Sequence, residues 1–366
     1  MRIAFSILYL MSLPLISGIQ QMGIGIPNVQ EAFDWYRKTL KIDIKMFEEA
    51  AEAKLMLPYT ANKPQSRHAI LALSGQGGGG LEIWQYVGRT PQPAAFDIQL
   101  GDLGLNINKF KCHNADAAYE DLKQQGVELL GQVHTNPAGA KHFFAKDPYG
   151  NIFEAVESTN WFRKIGDHFG GVYGCIIGVS DMEKSLTFYK EILGYDQILS
   201  DDTEQFQDFE ALPAGEQKYR RVILAHSQNR QGPFSRMLGQ SQIELVQALD
   251  RKPNFIFKDR LWGDLGYIHL CFDIKGMPEL RDKCAKLGHP FTVDSSAAMD
   301  SFDMGEAAGN FAYIEDPDGA LIEFVETHKI PVVKKIGWYI DLRKRLPSKA
   351  LPDWMLKMLS FNRVKN

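Results

Sequence analysis

His269 and Glu323 are the residues of this chain whose surroundings most directly suggest chemistry. His269 stands in the short apolar run Gly-Tyr-Ile-His-Leu-Cys-Phe, 266–272, and Glu323 in the run Leu-Ile-Glu-Phe-Val, 321–325. Side chains alternate across a strand, so a polar residue inside an apolar strand can be aimed at a chosen partner. An imidazole and a carboxylate together can hold a divalent metal ion. The sequence between them must position them. Met277, Leu280, Cys284 and Leu287 recur at helical spacing, and Gly288 stands where such a helix would stop. Asp316-Pro317-Asp318-Gly319 then reads as a hairpin turn between two β-rich runs. The stretch is a βαβββ unit with one potential ligand near each end.

The unit recurs. Gly263-Asp264-Leu265-Gly266 opens it, and Gly101-Asp102-Leu103-Gly104 opens another copy that runs through a helix (115–125, stopped by Gly126) to Asp147-Pro148-Tyr149-Gly150 and Glu154. Counted from the opening box, Ile107 falls where His269 stands. Two further copies share a different opening. Ile24-Gly25-Ile26-Pro27-Asn28 matches Ile177-Gly178-Val179-Ser180-Asp181, Tyr36 matches Tyr189, Glu82 matches Glu244, and Gln21 matches Gly174. Asn28 is the expected N-cap of the first helix. The four-glycine run Gly77–Gly80 leads into a strand and lacks a following Lys-Ser/Thr, so it is a hairpin turn and no phosphate loop. Four modules result: 17–88, 101–158, 170–250 and 263–328.

At 366 residues the chain exceeds one ordinary core. Its formal net charge of −4 argues against a general nucleic-acid binder. The four cysteines, Cys112, Cys175, Cys271 and Cys284, form no CxxC pair and read as buried thiols in a reducing, cytoplasmic setting. Residues 1–16, apolar after one arginine, read as a leader or as a signal peptide that would export the protein. They are too short for an integral membrane span. Residues 329–366 form a basic amphipathic tail holding Trp338, Tyr339, Trp354, Met355 and Leu359, expected as two short helices that pack on the body, with an active-site lid or a membrane-surface contact as alternatives.

Four βαβββ modules, a histidine-bearing first strand and DPxG hairpins followed by a glutamate resemble the vicinal oxygen chelate superfamily, which includes glyoxalase I, methylmalonyl-CoA epimerase, extradiol dioxygenases and metal-free bleomycin-binding proteins. The resemblance covers residues 17–328. It implies an α+β fold of four βαβββ modules paired into two half-open eight-stranded cups, followed by a C-terminal helical tail. The first domain would span 17–160 and the second 170–328. In this family the first and last strands of each module supply the ligands, so the pairing of modules decides the site. Tandem pairing gives Gln21, Glu82, Ile107 and Glu154 in one cup and Gly174, Glu244, His269 and Glu323 in the other, where Glu244, His269 and Glu323 would be the metal site. Crossed pairing gives Gln21, Glu82, His269 and Glu323 in one cup and leaves Ile107, Glu154, Gly174 and Glu244 in the other. The first crossed set is similar to the Gln/Glu/His/Glu set of a fused glyoxalase I and is favoured, because it leaves one complete cup and one that has lost both neutral ligands.

The resemblance implies one divalent metal ion, drawn from Zn, Ni, Mn, Co or Fe, and a small-molecule substrate. The expected activity is that of a lyase or isomerase working by proton transfer next to a metal-bound carbonyl, with Glu323 as the base. The alternatives are an Fe(II) dioxygenase, against which Gly174 stands where a histidine would be needed, and a non-catalytic binding protein, against which the complete ligand set stands. Gly25 and Tyr86 replace the arginine and asparagine that touch glutathione in glyoxalase I, which argues against that cosubstrate. Arg67, Arg89, Arg220 and Arg221 are cations available for an anionic substrate. The other histidines show no ligand spacing. The cup mouths fall around 47–68, 200–220 and 291–309. A monomer or homodimer is expected.

Overall fold

A computed structural model describes residues 14–298, 302–303, 308–333 and 338–364. The expected leader lies, up to residue 13, outside the described residues. The first module comprises β1 (Leu15–Gly25), α1 (Val29–Thr39), β2 (Ile44–Ala53), β3 (Gln65–Leu73) and β4 (Gly80–Tyr86). The second has β5 (Gly104–Cys112), α2 (Ala115–Gln124), β6 (Glu128–Thr135), β7 (Lys141–Lys146) and β8 (Ile152–Glu157). The third has β9 (Phe169–Gly178), α3 (Met182–Glu191), β10 (Gln197–Glu204), β11 (Tyr219–Ala225), the short α4 (Ser235–Leu238) and β12 (Gln242–Ala248). The fourth has β13 (Gly266–Lys275), α5 (Met277–Lys286), the two-residue β14 (Val293–Asp294) and β15 (Phe302–Asp303), then β16 (Ala308–Glu315) and β17 (Leu321–Val333).

Local chemistry sets the module boundaries. Asn28 caps α1, its side chain accepting from the backbone N–H groups of Gln30 and Glu31, and Asn114 and Asp181 cap α2 and α3 in the same way. Module four has Gly276 at that position. The Glu326 carboxylate takes over, accepting from the N–H of Met277 at 3.1 Å and of Gly276 at 3.3 Å. Gly150 and Gly319 close the two DPxG turns at φ +86°, a backbone that side chains with a Cβ rarely adopt.

The modules pair in the crossed manner. One sheet runs β14-β16-β17-β13-β1-β4-β3-β2, with β15 beside β16, and joins modules one and four. The other runs β10-β11-β12-β9-β5-β8-β7-β6 and joins modules two and three. The central seam of the first is the antiparallel pair β1 and β13, and of the second β5 and β9. Alternate residues of each strand serve two cores. Leu81 and Ile83 of β4 join a large apolar core with the four long helices and both sheets, while Trp84 and Tyr86 face the concave side of the first sheet. We call the two concavities cup A (modules one and four) and cup B (modules two and three).

Hydrogen bonds across the core tie sequential modules together. Tyr36 of α1 donates to Asp147 of the second module's DPxG turn, and Tyr189 of α3 donates to Asp316 of the fourth's at 2.9 Å. The tail departs from the two-helix expectation. Its first part is a strand, β18 (Trp338–Asp341), that pairs with β17, and one helix follows, α6 (Asp353–Met358). Leu342, Leu351 and Leu356 do its packing, whereas Tyr339 and Trp354 are exposed. Among the described residues no helix is long and apolar enough to cross a membrane.

Candidate metal centre

The four middle strands of the first sheet each place one polar side chain in cup A: Gln21 from β1, Glu82 from β4, His269 from β13 and Glu323 from β17. Register fixes their meeting. Gly23 lies across from both His269 and Glu82, and Cys271, two residues beyond His269, lies across from Glu323. A register shift beside Gly23 marks a bulge in the β1–β13 pair. Gly23 is what lets the imidazole lie down over the sheet, since a Cβ there would come within 2.3 Å of the ring carbon Cε1.

All four side chains are buried. His269 Nε2 is 3.2 Å from Glu82 Oε2 and 3.1 Å from Glu323 Oε2. One oxygen or nitrogen from each of Glu82, His269 and Glu323 lies within 4.8 Å of the others. Gln21 Nε2 donates to Glu82 Oε2 at 3.2 Å, which leaves Gln21 Oε1 without a partner. Neither His269 nitrogen nor Glu323 Oε2 has a hydrogen bond of acceptable geometry despite these short distances. Buried polar atoms left this way are costly in a folded protein, and a cation shared between them removes the cost. Burial alone would push His269 toward the neutral form, but Glu323 and Glu82 outweigh it and raise the imidazole to about 10. Burial opposes the charged form of Glu82 too, and the neighbouring His269 brings its carboxyl below the ordinary value.

An aromatic shell surrounds the group. Trp262 lies parallel to the His269 ring with centroids 6.2 Å apart, and Tyr313 meets that ring edge-on at 5.7 Å. Trp84 packs on Trp262 at 4.7 Å. Met56, Leu55 and Tyr59 from the 47–68 stretch and Val293 from the 291–309 stretch belong to the same cluster. Residues 200–220 instead supply Phe206, Phe209 and Leu212 to cup B. The segment carrying Phe257, Leu261 and Trp262 also covers cup A, and its place there had no signal in the sequence beyond its aromatic content. The two positions that differ from the glutathione-contacting pattern serve the fold: Tyr86 donates to the Trp262 carbonyl, and Gly25 lies so close to Asp264 that a Cβ would sit 2.0 Å from its carbonyl oxygen.

Cup B is filled differently. Glu154 and Glu244 stand on strands equivalent to those of Glu323 and Glu82, and the ammonium of Lys109 on β5 lies between them, 3.1 Å from Glu154 and in close contact with Glu244. Lys109 pairs with Glu154 across the sheet as Cys271 pairs with Glu323. Ile107 and Ile176 fill apolar space, and Gly174 contributes no side chain. Arg221 Nε bonds Glu244 at 2.5 Å while its Nη1 holds Asp208 at 2.7 Å. His142 bridges Glu154 at 2.8 Å and Asp208 at 3.0 Å. Burial disfavours charge on each of these groups, yet the pairing wins: Glu154 and Asp208 fall to about 2, His142 rises to about 8, and Lys109 also rises. Three carboxylates face three basic groups at ion-pair distance, so charge is matched here by Lys109 and Arg221 even though His142 and Glu154, like His269, lack hydrogen-bond geometry. Sequence reasoning missed Lys109, His142 and Asp208. Lys109 and Lys111, alternating inside the apolar strand 104–112, were the available signal. Arg221, expected among the cations for an anionic substrate, is instead committed to Glu244 and Asp208. Arg67, Arg89 and Arg220 likewise pair with Glu49, Asp264 and Asp201.

Comparison with known proteins agrees with this architecture. A family model for the Glyoxalase/Bleomycin resistance protein/Dioxygenase superfamily matches residues 18–155 and 167–324. Among solved structures, a glyoxalase I variant from Zea mays is 12% identical, covers 84% of this chain and 92% of its own, and has a TM-score of 0.53. A putative dioxygenase from Bacillus subtilis subsp. subtilis str. 168 is 14% identical, covers 85% of this chain and 86% of its own, with a TM-score of 0.55. At such identities the likeness is one of fold. No curated protein sequence matches the chain. With two family matches spanning most of its length and two crossed cups of βαβββ modules, the chain belongs to the Glyoxalase/Bleomycin resistance protein/Dioxygenase superfamily.

Proposed function

We propose that cup A holds one divalent metal ion through Gln21, Glu82, His269 and Glu323, and that the protein is a lyase or isomerase acting on a small carbonyl compound. The observation that carries this reading is the buried Glu82–His269–Glu323 group, whose donor atoms lie 3.1–3.2 Å apart and whose two carboxylates, unlike those of cup B, have no lysine or arginine in ion-pair contact among the described residues. One imidazole, two carboxylates and an amide oxygen suit Zn, Ni, Mn, Co or Fe(II). When bound, such an ion supplies Lewis-acid polarisation of a substrate carbonyl. The chain supplies the rest. Glu323, on β17 at one side of the group, takes a proton from the carbon beside the carbonyl and returns it. Gln21 and Glu82 hold the opposite side. Trp84, Trp262 and Tyr313 exclude water and offer apolar walls to the substrate. Because Gly25 and Tyr86 are spent on the fold, glutathione is not the expected cosubstrate. A single imidazole with two carboxylates also differs from the two-histidine, one-carboxylate set of ferrous dioxygenases.

The test is metal content per chain by elemental analysis on wild type, Glu82→Ala and Glu244→Gln purified together. The reading expects one ion in wild type, loss in Glu82→Ala and retention in Glu244→Gln. Loss in Glu244→Gln with retention in Glu82→Ala would move the site to cup B. Wild type free of metal after reconstitution would refute the enzyme reading. With a carbonyl substrate in hand, Glu323→Gln is expected to abolish exchange of the adjacent carbon-bound proton with solvent deuterium.

A further inference from the structure

The C-terminal tail carries an outward face that the body leaves uncovered. Its underside is fixed: Leu351 and Leu356 are buried, Arg363 pairs with Asp43 at 3.2 Å, and the Val364 N–H donates to the Asp43 carbonyl at 2.9 Å. With α6 so docked, Trp354, Lys357 and Phe361 point the other way, spaced three and four residues apart along the helix and the helical turn that follows it. Trp354 is 53% exposed, Phe361 83%, and Leu346 in the preceding loop 71%. The latter two are the most exposed large apolar side chains among the described residues.

The charge around them is one-sided. Residues 329–366 hold ten lysines and arginines against two aspartates, in a chain whose formal net charge is −4. Both aspartates are engaged, Asp341 by Arg343 and Asp353 by Arg236. Among the described residues Lys344, Lys349 and Lys357 form no salt bridge, and all three are exposed. Exposed aromatic rings interleaved with unpaired lysines complement a surface with a negative head layer and an apolar interior: rings enter the boundary while lysine stems lie along it with their charge outward.

A second observation points the same way. The start of β1 abuts the 232–238 segment, where a Cβ on Gly232 would lie 2.1 Å from Ser17 Oγ. That same segment holds the tail, the Leu351 N–H donating to the Pro233 carbonyl at 2.8 Å and Arg236 reaching Asp353 at 2.8 Å. The apolar sequence preceding Pro14 is therefore attached at the end of the molecule that carries the basic tail.

We propose that this end of the molecule, through Leu346, Trp354 and Phe361 with Lys344, Lys349 and Lys357, docks reversibly on an anionic lipid bilayer. The occupant is the bilayer surface itself and not a soluble phosphate, because single phosphates give the aromatic rings nothing to enter. The test is vesicle co-sedimentation of the full chain, using phosphatidylglycerol and phosphatidylcholine in equal parts against phosphatidylcholine alone. Binding is expected to the first and to fall with added salt. Neutralising the three lysines to glutamine is expected to weaken it by about fivefold per lysine at low salt. The Trp354→Ala/Phe361→Ala pair is expected to weaken it at least as much, with unchanged far-UV circular dichroism and metal content, because both rings are outside the core. Millimolar glycerol phosphate should not compete. Absence of binding to anionic vesicles would overturn the proposal, as would binding indifferent to the two aromatic rings. Preferential, ring-independent capture of soluble polyglutamate would assign the charge to an acidic protein and overturn it equally. The metal reading is untouched by any of these outcomes.

Discussion

Lys109→Met isolates what the ammonium does in cup B. The substitution keeps an unbranched stem of similar length in a fully buried position and removes only the charge. It leaves Glu154 and Glu244 facing each other with one fewer cation between them. Breaking a buried ion pair from one side costs about 3–5 kcal/mol, because the remaining charge stays desolvated. Arg221 still holds Glu244 and His142 still holds Glu154, so the lower end, about 3 kcal/mol, is expected. Against the usual ~5–15 kcal/mol of a folded domain that is a large loss, readable from equilibrium urea unfolding as a drop in midpoint at constant slope. Glu244→Gln alone should also destabilise. The double variant should lose less than the sum of the two, with a coupling of about 1–3 kcal/mol, because each single change strands a charge that the pair removes together. A loss under about 1 kcal/mol for Lys109→Met, or strict additivity in the cycle, would refute the argument that this ammonium neutralises the two carboxylates.

Three further outcomes follow from the same geometry. Gly23→Ala should displace the His269 ring, because its Cβ would lie 2.3 Å from Cε1, and metal content should fall while circular dichroism stays as in wild type. Burial alone would lower His142, but the Asp208 and Glu154 carboxylates beside it outweigh burial and hold it near 8 in the fold, against about 6.5 in an unfolded chain. Its contribution is thus complete below pH ~6.5 and is lost as pH rises through 8; over that window wild type should lose about 2 kcal/mol more unfolding free energy than His142→Gln does. Tyr36→Phe and Tyr189→Phe each remove a buried hydroxyl that donates to a turn carboxylate, and each should cost about 1.5–3 kcal/mol by urea unfolding.

Much of the fold was legible because the repeat is written in turn chemistry. Asp147-Pro148-Tyr149-Gly150 and Asp316-Pro317-Asp318-Gly319 announce hairpins wherever they occur, and Gly-Asp-Leu-Gly sets the count to the first strand. Alternation then named the polar residue of each apolar strand, which is how Glu82, His269 and Glu323 could be singled out. What alternation cannot tell is which strand lies beside which. β1 meets β13 through contacts far apart in the chain, and only the distribution of intact and lost ligands hinted at it. The contents of cup B were hidden for a different reason. Lys109, His142 and Asp208 come from three strands or loops with no common spacing, and a buried lysine is read as an edge residue until its partners are known. In the tail, the residues of β18 pattern like a helix, and the free edge of β17 makes them a strand.

The crossed sheets also order events during synthesis. Cup B draws on strands from Gly104 to Ala248, a continuous stretch, and can close while the ribosome is still making the last module. The first module cannot: β1 must wait for β13, which Gln21 meets at Cys271. Until then the inner edge of β1 is open, with only half of the donor set, Gln21 and Glu82, in place. The already closed cup B, tied to α1 through Tyr36 and Asp147, keeps that waiting edge close to where β13 will emerge and shortens the search for it. If cup A takes up an ion as proposed, that uptake would be a late event that reports a finished chain, because a nascent or clipped product ending before Gly266 lacks the His269 imidazole.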